Sequence, residues 1–162
     1  PAEVSALTPD GLTVRVLPPA PQLMVSGDLT GFLARHDLPP AAGLLAKVTG
    51  DRFALRLARS RMLVVGPDLP PEAAGWVDGC ALSPMTGALA IMEITGPDTM
   101  ALYARGTAVD ASTASPSAAL VFAGITVIAC RHDDALRLHL DRGLVPYLMA
   151  WIATTVLVTL DA

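Results

Sequence analysis

The chain has 162 residues, 52% of them hydrophobic and only 4% aromatic, and a formal charge of −4. That length allows one domain with a sizeable core, built from Ala, Val, Leu, Ile and Met rather than from rings. The acidic balance excludes a general nucleic-acid binder, which would carry a basic face.

Residues 1–11 read as a lead-in ending in the turn residues Pro9, Asp10 and Gly11. Residues 12–17 alternate apolar and polar, a strand with one wet face. Prolines at 18, 19 and 21 end it, and residues 22–26 predict a second strand. Asp28 is the expected N-cap of a short helix with Leu29, Phe32, Leu33 and His36 on one face. His36 complements the C-terminal end of that helix. Residues 44–48 predict a short strand, and 53–57 with 61–65 a hairpin. Pro70, Pro71 and Glu72 are expected to start a short helix reaching Trp76, with 77–79 as a loop.

The stretch 87–110 organises the chain. Residues 88–94 are apolar on nearly both faces, as in a central strand. Gly96 breaks it, Pro97 fits the first helical position, and Asp98 puts a negative charge in the first turn. Met100, Leu102 and Tyr103 supply an apolar face, and Gly106 ends the helix. Residues 111–117 are small and polar, a loop. Two strands are predicted at 118–123 and 125–130, then a charged turn at 131–134. In 135–141, Leu136, Leu138 and Leu140 are expected to point in, with Arg137 and His139 out. Leu144, Leu148, Trp151, Ile152 and Thr155 follow helical spacing, and β-branched residues place the helix end near Val156. Strand–Gly–Asp–helix occurs twice, at 23–36 and 91–105. The reading is an α+β fold, 1–162 as a single domain with pseudo-repeated halves of roughly 12–78 and 79–162. Each half is a strand-helix-strand-strand block, with mostly antiparallel sheets and helices on one face.

Chemistry is sparse. No glycine-rich phosphate loop and no G-x-S-x-G run is present. Cys80 and Cys130 read as two buried free thiols in a reducing cytosol. His132, Asp133, Asp134 and His139 are the one grouping a metal would use, but the paired Cys/His spacing of structural zinc is missing. Glu93, Asp98 and Asp110 are assigned turn or surface roles. No catalytic, cofactor-binding or metal-binding residue is assigned. Arg52, Arg56, Arg59 and Arg61 put positive charge on the hairpin, as a solvated face or as a docking patch for an acidic partner or anionic ligand. No charged and apolar opening marks a secretion signal. Residues 143–160 are uncharged, just under the roughly 20 apolar residues that span a bilayer. Pro146, Thr154, Thr155 and Thr159, and the lack of a flanking Lys or Arg, read against a span.

The run Leu82-Ser83, then Ile94-Thr95-Gly96-Pro97-Asp98, Leu102, Gly106 and Val109-Asp110, resembles a pattern of the sarcosine oxidase gamma subunit family. That pattern reads D-x-S, G-P-x-A, then L-x-x-G-x-x-x-D. Residues 136–142 and 147–152 are similar to the family's closing strand, Arg, and Tyr-Leu-x-x-Trp-Leu run. The hairpin end 62–67 looks like its segment around G-P-D. The family is similar in turn to the folate-binding domain of glycine-cleavage aminomethyltransferases. Two positions depart: Ala81 replaces the family's Asp, and Gly143 stands where a Ser often follows the Arg. A carboxylate at position 81, if the wider superfamily uses one in folate chemistry, is not available to this chain.

The resemblance implies a cytoplasmic, non-catalytic accessory subunit of a heterotetrameric sarcosine (N-methyl amino acid) oxidase. Flavin, NAD and tetrahydrofolate would be held by alpha, beta and delta-type partner subunits, with no nucleic acid and no membrane involved. Val156, Val158 and Leu160 are then expected to contact a partner. The alternatives are a stand-alone folate-binding or aminomethyltransferase-like domain, and a membrane-associated adaptor held by residues 143–160.

Overall fold

The strand read as central does lie at the centre. In a computed structural model describing residues 6–7, 11–70 and 72–160, the elements run in this order. They are β1 (Ala6–Leu7), β2 (Thr13–Val16), β3 (Gln22–Gly27), α1 (Leu29–Arg35), β4 (Lys47–Val48), β5 (Phe53–Ala58) and β6 (Arg61–Val65). Then come β7 (Gly75–Val77), β8 (Cys80–Pro84), β9 (Leu89–Thr95), α2 (Thr99–Gly106), β10 (Ala119–Phe122), β11 (Ile125–His132) and β12 (Ala135–Asp141). A short 3-10 turn (Arg142–Leu144) leads into α3 (Val145–Leu160).

Two sheets result. The first has the order β1-β2-β9-β12-β11-β10, with β4 added in parallel on β11. The second has the order β5-β6-β3-β8-β7. The other strand pairings are antiparallel, as expected of this α+β fold. Early β2 lies beside late β9, and late β8 lies beside early β3.

The side-chain alternation of the strands explains the layering. On one face of the first sheet, Val14, Met92, Ile94, Leu136, Leu138 and Leu140 pack with Leu102 and Tyr103 of α2 and Leu148 and Ile152 of α3. On its other face, Ile128 and Cys130 meet Phe53, Leu55, Leu63 and Val65 of the second sheet. The far face of the second sheet, with Leu23, Val25, Met62 and Val64, is covered by Leu29 and Phe32 of α1. The order of layers is α2/α3, sheet, sheet, α1. Asp28 caps α1 as expected, its Oδ1 accepting from Gly31 N–H at 3.0 Å.

Several expectations are corrected. No helix reaches Trp76: Ala73 N–H bonds the Pro70 carbonyl in a single turn, and Gly75 at φ +94° stops propagation. Gly75–Val77 is instead a strand, joined to β8 by Asp78-Gly79. Both turn residues have positive φ, the conformation of a two-residue hairpin turn with a right-handed strand twist. The strand at 44–48 shortens to Lys47–Val48. Helix α2 starts at Thr99, not Pro97, because the Gly96 carbonyl is occupied by the Thr99 backbone and hydroxyl. Helix α3 runs past Val156 to Leu160; Thr154 returns its hydroxyl to the Ala150 carbonyl at 2.9 Å, so this β-branched residue is held within the helix. No helix among the described residues is long and apolar enough to cross a membrane.

Candidate functional site

The charged groups of β2, β9 and β12 meet on the face turned to the second sheet. Register sets Arg15, Glu93 and Arg137 side by side on three adjacent strands. Arg15 Nε donates to Glu93 Oε1 at 2.9 Å, and Arg137 Nε donates to Oε2 at 2.9 Å. Glu93 is 5% exposed, so its assigned surface role is corrected: the Arg15 and Arg137 side chains on the neighbouring strands close over its carboxylate. Burial alone would raise its pKa, but the hydrogen bonds and charges of Arg15 and Arg137 outweigh that and hold the carboxyl below its usual range. A carboxylate with both oxygens engaged by guanidiniums is neither a free base nor, at neutral pH, an acid.

Next to this row sits His139, expected to point outward but 1% exposed because Gln22 and Phe53 of the second sheet pack against it. Its Nδ1 lies 2.7 Å from Gln22 Oε1 in the opposing sheet, and Gln22 Nε2 donates to the Leu89 carbonyl at 3.1 Å. An amide oxygen only accepts, so the hydrogen is on Nδ1 and Nε2 is a bare lone pair. No partner meets that Nε2 among the described residues, and Phe53 lies edge-on to the ring at 6.5 Å. Burial, with the Arg137 charge beside it, pushes the His139 pKa down to about 3. The imidazole is therefore neutral and shielded, a link between sheets rather than a proton carrier.

The metal grouping does not assemble. His132 is held by the Gly50 carbonyl at 2.7 Å with Asp133 at 3.4 Å, while His139 is buried four pairs further along the β11–β12 ladder. Among the described residues no group of three or more His, Cys, Asp or Glu side chains is placed to hold a metal. Cys80 and Cys130 are free and buried, and burial pushes the Cys130 thiol up to about 12. His36 caps α1 and stacks on Phe32 at 4.3 Å. Asp110 accepts from the Ser112 backbone and hydroxyl, both at 2.8 Å, which lowers its pKa.

The hairpin arginines divide. Arg52 pairs with Asp68 at 2.7 Å at one end. At the other end Arg56 bonds the Arg59 carbonyl, and Arg61 bonds the Ser26 hydroxyl. Val156 packs partly buried against the helix-side core. Val158 and Leu160 lie within α3, but their side chains fall outside the described residues. Trp76 and Val77 were not singled out by sequence reasoning, yet they are 78% and 50% exposed. The Asp78-Gly79 turn was the signal that would have revealed their strand.

No family model matches the chain, and no curated protein matches it. Among solved structures, a chain of the heterotetrameric sarcosine oxidase from Corynebacterium sp. U-96, in complex with pyrrole 2-carboxylate, is similar to it. The likeness covers 93% of this chain and 87% of that one, at 15% identity and a TM-score of 0.73. At that identity it is a likeness of fold. The four-layer α+β arrangement is thus the fold of a chain in a heterotetrameric sarcosine oxidase.

Proposed function

We propose that this chain is a non-catalytic, gamma-type accessory subunit of a cytoplasmic, heterotetrameric sarcosine (N-methyl amino acid) oxidase-type flavoenzyme. The observation that carries this reading is the fold likeness over 93% of the chain. It falls on the same chain whose sequence resembles the gamma subunit pattern. The residues of that pattern support it by doing structural work. At Gly96, φ +118°, a Cβ would stand 2.3 Å from the Gly11 carbonyl, and at Gly106 one would stand 2.1 Å from the Phe122 ring. The exposed Trp76 is what a subunit meeting a partner presents.

In this reading flavin, NAD and tetrahydrofolate are held by alpha, beta and delta-type partners. That this chain holds no flavin or pterin of its own is part of the same reading. Glu93 is the one buried carboxylate among the described residues, and both its oxygens are taken by arginines. Position 81 carries no carboxylate either. Val156, Val158 and Leu160 are proposed to contribute a partner contact at the end of α3.

The test is capture of the tagged chain from its source cell, with the absorbance of the eluate scanned for flavin. A stoichiometric yellow complex is expected. A colourless single chain overturns the reading, and a tetrahydrofolate titration of that chain then decides for or against a stand-alone folate-binding domain.

A further inference from the structure

Strand register places Trp76, Ala81, Ser26, Arg61 and Ala58 in one line across all five strands of the second sheet. With strands about 4.8 Å apart, that line is roughly 19 Å long. Directly paired residues share a face. This face is the one turned towards the first sheet, since Leu55 and Leu63 on it are fully buried there. The line lies beyond that cover. Trp76 is 78% exposed, Arg61 and Ala58 are exposed, and Ala81 and Ser26 are half-buried.

Charge along the line is one-signed. Arg61 Nε donates to Ser26 Oγ at 3.2 Å, and exposed Arg59 follows at the turn. Neither arginine makes an ion pair among the described residues, whereas Arg15, Arg35, Arg52 and Arg137 each do. No Asp or Glu stands in the line. A surface that leaves guanidiniums unneutralised in a chain of net charge −4 is complementary to an acidic group from elsewhere. Trp and Arg are also the residues that dominate the binding energy of protein interfaces.

We infer that this line is the docking surface for a flavoprotein subunit. That subunit sets a carboxylate against Arg59 and Arg61 and an apolar side chain against Trp76. The inference rests on the subunit reading above. Guanidinium forks favour carboxylates through paired N–H donors, which fixes the orientation of docking. Ala81 and Ser26 add little bulk between Trp76 and Arg61, so a partner element is able to lie flat along the line.

The test uses the full-length tagged chain expressed in its source cell, with the variants Trp76→Ala, Arg61→Glu and Arg105→Glu. Arg105 is exposed on α2, so its reversal makes the same charge change away from the line. Trp76→Ala and Arg61→Glu are each expected to lower the co-purified flavin at least about tenfold, the size of an interface hot spot. Arg105→Glu is expected to keep wild-type yield. If the first two melt as wild type and still capture wild-type amounts of flavoprotein, the docking surface is overturned and the subunit reading stands. If one of them melts early, the other decides alone. If the wild-type chain captures no flavoprotein, the subunit reading falls and this surface with it.

Discussion

His139 Nδ1 and Gln22 Oε1 stand 2.7 Å apart across 117 residues of sequence, joining the two sheets through one buried hydrogen bond. The ring is neutral in the folded chain because its other nitrogen has no acceptor for a second proton.

Stability should therefore fall in mild acid. The His139 pKa drops from its ordinary 6.5 to about 3 on folding. The unfolded chain then binds more protons over that window, so the stabilising contribution is complete above 6.5 and lost as the pH falls towards 3. At pH 5 the loss from this residue is about 2 kcal/mol. Urea midpoints measured between pH 7 and pH 5 check this; a His139→Gln variant should lack this part of the slope.

Glu93→Gln removes the counter-charge of two arginines. Burial keeps the neighbouring Arg137 guanidinium from full hydration, and its side chain is only 18% exposed. A loss of roughly 3 kcal/mol is expected, at the lower end for a broken buried pair because Arg15 still reaches solvent. Arg15→Ala should cost about 1 kcal/mol, nearer to a surface pair. Because the Glu93 pKa is lowered on folding, its contribution is present above the ordinary carboxylate value and fades below it. Denaturant titrations of both variants at pH 7 separate the two costs.

Gly106→Ala should be destabilising although Ala favours helices. The added methyl would meet the Phe122 ring at 2.1 Å, and that ring is fixed between Tyr103 and Trp151. Overpacking of this kind costs about 1–3 kcal/mol. Thermal melting of the variant measures it, and an unchanged melting temperature would mean that the ring has room to shift.

A thiol reagent at pH 8 should label neither cysteine in the folded chain. Both are buried, and the Cys130 thiol stays protonated because burial pushes its pKa up to about 12. Labelling should rise to two thiols per chain in denaturant. Early reaction of either thiol would report local opening rather than global unfolding.

Much of the fold was legible in the sequence because periodicity records burial. The hairpin at 53–65 and Leu148 with Ile152 lie where alternation or helical spacing put them, and the apolar run at 88–94 falls on the central strand Leu89–Thr95. Glu93 was misread because its arginine partners come from other strands; His139 was misread for another reason. Alternation tells which residues share a face, but not that both faces of a strand are covered. His139 looks like the wet side of an amphipathic strand until Gln22 and Phe53 of the second sheet pack there. The Gly75–Val77 strand was lost to a proline-led start that resembles a helix N-terminus. The polar row itself left no local signal, since Arg15, Glu93 and Arg137 come together only through strand register.

Neighbouring strands drawn from distant parts of the chain also set a timetable. Strand β2 has no inner neighbour until β9 has been made, and β3 keeps one side open until β8 arrives. On a ribosome, a nascent chain ending near residue 78 would expose unpaired strand edges from both sheets at once. Such a fragment needs either a chaperone or the remaining 84 residues of the 162 to become soluble on its own terms.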